Sequence, residues 1–123
     1  MEQKNFSFAS RFNKGAQFDI DTTGFEYTKL SNIYNDKKRG GADNIHTFNG
    51  CFIFNGKIET APVFIDSKHK ELINIPAHMT DTVRDILNDA DAVAAIREGK
   101  VGYTIYEYES HGRKCYGINF VDL

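Results

Sequence analysis

Several features are scarce in this 123-residue chain, and each scarcity argues against a class of protein. It contains no tryptophan, two prolines and two cysteines, and its net charge is only −2. Cys51 and Cys115 lie far apart and do not form the disulfide framework of a small secreted protein, so two free thiols are predicted. No apolar run approaches the roughly 18 residues of a membrane span. The balanced charge neither requires nor excludes an anionic partner.

The N-terminal segment lacks the apolar stretch of a signal peptide. Residues 1–5, with the sequence MEQKN, are polar and lead directly into aromatic alternation. We therefore expect a cytoplasmic protein with no membrane partner. A length of 123 residues suits one domain with a single hydrophobic core, and residues 1–123 are predicted to form it.

Aromatic residues dominate the first half and predict β-strands. Most of the ten phenylalanines and six tyrosines fall in alternating runs, as in strands with one buried face. The Asn55-Gly56 pair is the strongest hairpin signal and joins predicted strands over residues 45–54 and 58–65. Pro62 favours an edge position or a bulge, because proline cannot donate to the ladder. Shorter strands are predicted at residues 6–8, 18–20, 25–27 and 72–75, and residues 28–34 suit a strand extension or one helical turn.

The last third predicts a helix followed by a hairpin. Apolar residues recur at three- and four-residue steps over residues 77–98, between Pro76 and Gly99, which suit the start and the end of a helix. A break into two shorter helices at Asn88-Asp89 is the alternative. Strands over residues 101–109 and 114–121 follow, joined by a turn at residues 110–113.

This order of elements predicts a β-rich α+β fold. The OB-fold uses the same order, since its five-stranded Greek-key barrel carries a helix before the last strands and binds oligonucleotides or oligosaccharides. An OB-like barrel and a highly curved antiparallel sheet, each with one main helix before the C-terminal hairpin, both remain open.

Signals for catalysis and metal binding are weak. The segment from Asp19 to Gly24 begins like a calcium-binding loop, but its twelfth position is Leu30, where a glutamate is required. Asp19 and Asp21 would share a strand face, yet no third metal ligand is identifiable, so two solvated carboxylates are the better interpretation. The four histidines are scattered without ligand spacing. We therefore predict no enzyme activity, no cofactor and no metal.

Local positive charge near aromatic residues favours nucleic-acid binding. Residues 35–44 are typical of an exposed loop, and their Lys37-Lys38-Arg39 run would reach a phosphate backbone. If Val101, Tyr103 and Ile105 face inward, neighbouring tyrosines face outward and stack on unpaired bases. The predicted phosphate contacts are Lys37, Lys38, Arg39, Arg113 and Lys114, and the predicted stacking residues are Tyr34, Tyr106 and Tyr108.

The C-terminal half also resembles a known type of sequence. Residues 73–78 (INIPAH), 99–109 (GKVGYTIYEYE) and 115–123 (CYGINFVDL) resemble a largely uncharacterised family of small proteins from phages and conjugative elements of Gram-positive bacteria. The resemblance implies an accessory protein of a mobile genetic element in the bacterial cytoplasm, and it supplies no catalytic residues. We therefore expect an OB-like, non-enzymatic protein that binds single-stranded DNA during replication or transfer of such an element.

Acidic residues on the predicted helix support an alternative function. They would repel phosphate, whereas they would compete for the basic channel of a nucleic-acid-processing enzyme. The alternative is a protein-binding module, such as a phage-encoded inhibitor of a host defence nuclease. The oligomeric state is open, with a homodimer included. The acidic residues are Asp81, Asp85, Asp89, Asp91 and Glu98.

Overall fold

A computed structural model describes residue 18, residues 20–57 and residues 60–123 of the chain. Within this part the fold is β-rich α+β, as predicted. The strands predicted at residues 6–8 and 18–20 lie wholly or partly outside it, as does Asp19. The strands are β1 (Glu26–Lys29), β2 (His46–Thr47), β3 (Gly50–Asn55), β4 (Thr60–Asp66), β5 (Glu71–Asn74), β6 (Val101–Ser110) and β7 (Arg113–Asp122), and the helices are α1 (Leu30–Tyr34), α2 (Thr80–Leu87) and α3 (Ala90–Arg97).

The described strands form two sheets. One sheet has the order β1-β5-β4-β3, in which β1 and β5 are parallel and the other pairs are antiparallel. The other sheet has the order β2-β6-β7 and is antiparallel throughout. Neither sheet is closed into a barrel in the described residues, so the OB-like arrangement stays a prediction.

The single strand predicted over residues 45–54 is divided between the two sheets. β2 pairs with β6, whereas β3 pairs with β4 in the other sheet. Asn49 holds the crossing point, because its side-chain oxygen accepts from the Ser67 backbone N–H at 3.1 Å and its own backbone N–H donates to Ile65 at 2.9 Å. The predicted hairpin is confirmed as the antiparallel pair of β3 and β4, but Asn55 belongs to the ladder, where it pairs with Thr60, and not to the turn.

The edge position predicted for Pro62 is wrong, since β4 lies inside its sheet between β5 and β3. Pro62 is opposite Ile53 of β3, and its carbonyl accepts from the backbone N–H of Ile75 at 3.0 Å. A strand residue directs its nitrogen and its carbonyl to the same side. The missing N–H therefore lies on the same side as that carbonyl, opposite Ile75 at the end of the β4–β5 ladder, so only a terminal bond of that ladder is lost.

The helical region contains a break, so the prediction of one main helix over residues 77–98 is wrong and the two-helix alternative is confirmed. A 3-10 turn at Ala77–Met79 leads into α2, and α3 begins after Asp89. The Asp89 carboxylate accepts from the backbone N–H groups of Asp91 and Ala92, at 3.0 and 3.2 Å, and thereby caps α3. No helix in the described residues is long and apolar enough to cross a membrane.

The C-terminal hairpin follows the predicted alternation with a tighter turn. His111 and Gly112 form a two-residue turn with φ of 52° and 75°, as a type I′ turn requires. Tyr103 and Ile105 are buried, whereas Tyr106 is 38% exposed on the opposite face. The buried face packs on the first sheet, where the Phe48 and Phe64 rings stack at 4.1 Å between centroids.

Candidate functional site

A groove of about 810 Å³ is lined by residues from both sheets, and we call it the lysine groove. Its lining includes the buried side chains of Leu30, Val63 and Ile75. Three aromatic residues and three exposed lysines also line it. The aromatic residues are Phe54, Tyr108 and Tyr116, and the lysines are Lys29, Lys57 and Lys114.

The charge of the lysine groove is one-sided. Its lining contains no aspartate or glutamate among the described residues. None of its three lysines forms an ion pair within the same part of the chain. Carboxylates do lie nearby, since Glu107 accepts a hydrogen bond from the Tyr116 hydroxyl at 2.9 Å and Glu109 is paired with Lys114 in the ladder. The groove thus offers unpaired cations although the whole chain carries −2.

Each lysine of the groove is placed by the end of a strand. Lys29 is the last residue of β1, Lys57 follows β3, and Lys114 lies near the start of β7. Tyr116 is fixed from behind by the Tyr34 ring at 5.3 Å. The sequence indicated neither Lys29 nor Lys57 as a binding residue. β1 and β3 are the two edge strands of the sheet, and their lysines share a groove only because distant segments pair between them.

The structure divides the predicted stacking residues. Tyr108 lines the groove. The centroid of the Tyr106 ring lies 5.7 Å from the centroid of the Tyr108 ring, but Tyr106 does not line the groove. Tyr34 supports Tyr116 from α1 and is not itself among the lining residues. Phe54 was missed by sequence reasoning, although it is 46% exposed at the end of β3.

The predicted phosphate contacts are also divided. Lys114 lines the lysine groove. Arg113, its neighbour on β7, is exposed and does not line the groove. Lys37 is exposed on the loop before β2, whereas Lys38 and Arg39 line a second cavity of about 310 Å³.

Arg39 belongs to a polar cluster with His46, Asp66, His69 and Glu71, which we call the Arg39 cluster. Asp66 is only 4% exposed, and its Oδ2 lies 2.7 Å from His69 Nδ1. Arg39 Nη1 lies 2.9 Å from Glu71 Oε1, and Arg39 Nη2 lies 3.8 Å from Asp66 Oδ2. The exposed loop predicted at residues 35–44 therefore places its arginine in a network of ion pairs.

Backbone contacts of the loop explain the position of Arg39. The N–H of Gly40 donates to the Asp36 carbonyl at 2.7 Å, and the N–H of Gly41 donates to the Tyr34 carbonyl at 3.1 Å. A Cβ at Gly40 would lie 1.9 Å from that Tyr34 oxygen. The loop therefore folds back on the end of α1 only because residue 40 is glycine, and Arg39 is directed towards β4 and β5.

Two buried polar atoms here have no hydrogen-bond partner in the described residues, namely His46 Nε2 within the Arg39 cluster and the Tyr103 hydroxyl beside it. Burial, and next the Arg39 guanidinium, lowers the pKa of His46. Burial, and next the Asp66 carboxylate, raises the pKa of Tyr103. Both groups are thus held neutral beside charged neighbours.

Asp66, His69 and Glu71 are the residues that would hold a metal ion, because their ligand atoms all lie within 4.8 Å of one another. The Arg39 guanidinium contacts both carboxylates and balances one of their two negative charges. The three ligand atoms are thus close enough for a cation, but Arg39 is already paired with the Glu71 carboxylate.

The two cysteines are free, as predicted, and differ in surroundings. Cys51 is buried, which raises the pKa of its thiol to about 12. Cys115 is half-buried and lines the lysine groove.

Comparison of the chain with protein-family models, with curated proteins and with solved structures found no match.

Proposed function

We propose that the protein binds single-stranded nucleic acid in the lysine groove and has no enzymatic role there. The observation that carries the proposal is the lining of the groove, which combines three lysines with three aromatic residues and contains no carboxylate among the described residues. Lysines attract a phosphate backbone at any sequence, and aromatic rings stack on any base. Lysines and aromatic rings together are typical of a site that binds a strand without selecting its sequence.

A single strand fits this lining better than a duplex. Bases of a duplex are stacked on one another and are not free to contact Phe54, Tyr108 or Tyr116, whereas unpaired bases are. The buried residues Leu30 and Val63 give the groove apolar contact surface as well. Single-stranded DNA is therefore the proposed ligand.

The proposed setting follows from the fold and from the C-terminal resemblance. OB-folds bind single strands through strand faces and loops, and an OB-like relationship would account for strands, helices and a hairpin in this order. An accessory protein of a phage or conjugative element, working in the bacterial cytoplasm, would meet single-stranded DNA during replication or transfer. The setting is part of the proposal.

The test is binding of a fluorescently labelled oligo-dT, followed by anisotropy at low and moderate salt. We expect the affinity to fall as the salt concentration rises. The slope of the logarithm of the binding constant against the logarithm of the salt concentration should be about −0.7 for each phosphate contacted on a single strand. The double variant Lys57→Gln/Lys114→Gln should reduce that slope by about 1.4. No binding at low salt would refute the proposal.

A matched double variant controls for the change in net charge. Lys37→Gln/Lys70→Gln removes the same charge from exposed residues that do not line the groove. It should leave the slope close to that of the unaltered protein. Equal losses in the two variants would mean that binding depends on overall charge and not on the groove.

The alternative of a protein-binding module depends on the acidic residues of α2 and α3, and three of the five have local partners. Asp81 pairs with Arg84 at 3.0 Å, Glu98 pairs with Lys100 at 3.3 Å, and Asp89 caps α3. These contacts weaken the acidic face as a mimic of phosphate. The groove therefore supports nucleic acid as the first ligand to test.

A further inference from the structure

We propose that the cavity beside the Arg39 cluster binds a phosphate dianion, either inorganic phosphate or the terminal phosphate of a monoester. The cavity measures about 310 Å³ and is separate from the lysine groove. Its lining residues are Lys38, Arg39, Asn44, Ile45, His46, Thr47, Asp66, Lys68 and His69. The proposal does not depend on the proposed function, because it concerns different residues and a different probe.

Positive charge exceeds negative charge among the residues that line the cavity. Lys38, Arg39 and Lys68 contribute three formal positive charges to the lining. Asp66 contributes one negative charge to it. Among the lining residues the cations exceed the carboxylates by two, which suits an anion, and the Glu71 and Asp36 carboxylates next to Arg39 and Lys38 offset that excess.

Arg39 is already oriented for a ligand. Its Nη1 lies 2.9 Å from Glu71 Oε1, and its Nη2 lies 3.8 Å from Asp66 Oδ2. The Arg39 side chain nevertheless remains 22% exposed. A guanidinium has five N–H donors, so donors remain after these contacts. Because the carboxylates restrict the rotamers of Arg39, less conformational entropy is lost when phosphate binds.

His69 adds a directed polar atom, and His46 adds a neighbouring ring. Asp66 Oδ2 lies 2.7 Å from His69 Nδ1, which leaves His69 Nε2 for a ligand. His46 lines the cavity, but its Nε2 is shielded from solvent and is not within reach of a bound phosphate. The charge of a bound phosphate would still act on the adjacent His46 ring.

An anion fits this cavity better than a metal ion does. A cation held by Asp66, His69 and Glu71 would have to displace Arg39 from its ion pair with Glu71. A phosphate would not require that displacement, because Lys38, Lys68 and the Arg39 donors not used by Glu71 or Asp66 belong to residues that line the same cavity. The carboxylates then serve to position Arg39 and His69.

The histidine side chains provide the readout. The protein has four histidines, and two of them, His78 and His111, do not line the cavity. Titration with inorganic phosphate at constant pH and constant ionic strength should shift the imidazole resonances of His46 and His69 and leave those of His78 and His111 unchanged. Chloride replaces phosphate in the blank titration. Equal shifts of all four histidines, or none, would overturn the proposal.

Two matched double variants test whether phosphate binds in the cavity or is only attracted by the overall charge of the protein. Lys38→Gln/Lys68→Gln changes two lining residues, and Lys37→Gln/Lys70→Gln changes two exposed neighbours that do not line the cavity. All four lysines are exposed, so both variants should fold. The first variant should weaken phosphate binding by about tenfold or more, because charge-assisted contacts are lost, and the second by less than about twofold. Equal weakening would overturn the proposal.

A second arm distinguishes the source of the phosphate. A 5′-phosphorylated oligo-dT is compared with the same strand lacking that phosphate, using the unaltered protein and the Lys38→Gln/Lys68→Gln variant. A gain from the terminal phosphate that disappears in the variant would assign the site to strand ends, whereas no gain alongside binding of inorganic phosphate would assign it to the free anion. If Zn²⁺ shifts His69 and phosphate does not, the cavity is a cation site and the proposal is wrong.

Discussion

The lysine groove and the Arg39 cluster lie at opposite ends of the same strands. Along β4, Val63 lines the groove and Asp66 belongs to the cluster. Along β6, Tyr108 lines the groove and Tyr103 adjoins the cluster. At about 3.3 Å per residue, these pairs are separated by about 10 Å along β4 and about 17 Å along β6. One set of strands therefore positions two polar regions of different character.

The charges of the two regions differ in what already compensates them. In the Arg39 cluster the charges are paired within the protein, and Asp66 is buried. In the groove the lysines are exposed and form no ion pair in the described residues. Removal of a cluster charge should therefore reduce stability, whereas removal of a groove side chain should reduce binding and leave stability nearly unchanged.

The largest expected effect belongs to Asp66→Ala. The change leaves the Arg39 guanidinium with one carboxylate fewer and removes the acceptor of the His69 backbone N–H at 3.2 Å. Loss of one partner from a partly buried polar network typically costs about 1 to 3 kcal/mol, and Arg39 keeps Glu71 as a partner. Urea unfolding should therefore show a free energy of unfolding reduced by about 2 kcal/mol or more.

Asp81→Ala is the matched control for Asp66→Ala. Asp81 pairs with Arg84, but its side chain is 91% exposed. Solvent screens such a pair, so the urea midpoint should not move measurably. Similar losses in the two variants would show that the Arg39 cluster contributes no more to stability than a surface pair.

The next effect concerns the groove, where Tyr108→Ala should weaken oligo-dT binding. Loss of one base-stacking ring typically costs about 1 to 3 kcal/mol, or roughly five- to 150-fold in affinity. Anisotropy titrations measure the change, and urea unfolding shows whether the variant keeps its fold.

Tyr106→Ala provides the comparison, because the Tyr106 ring lies beside Tyr108 outside the groove. It should weaken binding by a smaller factor. If the two variants lose affinity equally, the strand follows the outer face of the hairpin, as the sequence alone suggested, and the groove is not the path of the bases.

The parts of the fold that depend on nearby residues were predictable from the sequence. The hairpin of β6 and β7 is set by alternation and by a turn that needs positive φ, and Gly112 supplies it. The break between α2 and α3 follows from the capping ability of Asp89. Each of these features is specified within a few residues.

The parts that depend on distant pairing were not predictable. β1 and β5 are parallel neighbours although more than forty residues separate Glu26 from its partner Glu71. Arg39 meets Asp66 and Glu71 only because that sheet forms. The sequence therefore predicted that all three cations of the loop would be available to a ligand, whereas Arg39 is paired with carboxylates of the protein. For the same reason the shared groove of Lys29, Lys57 and Lys114 could not be predicted from the sequence.

The smallest expected effect is the pH dependence of the free energy of unfolding, and it comes from His46. Burial, and next the Arg39 guanidinium, lowers the pKa of His46 from its usual 6.5. The unfolded chain therefore binds more protons than the native protein between the folded and unfolded pKa values. The contribution of His46 to stability is thus complete above pH 6.5 and is lost as the pH falls below it.

The free energy of unfolding should decrease between about pH 7.5 and about pH 5.5. His46→Gln should reduce this decrease, whereas His111→Gln in the exposed turn should not. His46 does not line the groove, so oligo-dT affinity should stay constant over this range where the protein remains folded. If affinity falls with stability in the unaltered protein and both become independent of pH in His46→Gln, the two ends of the strands are coupled and not independent.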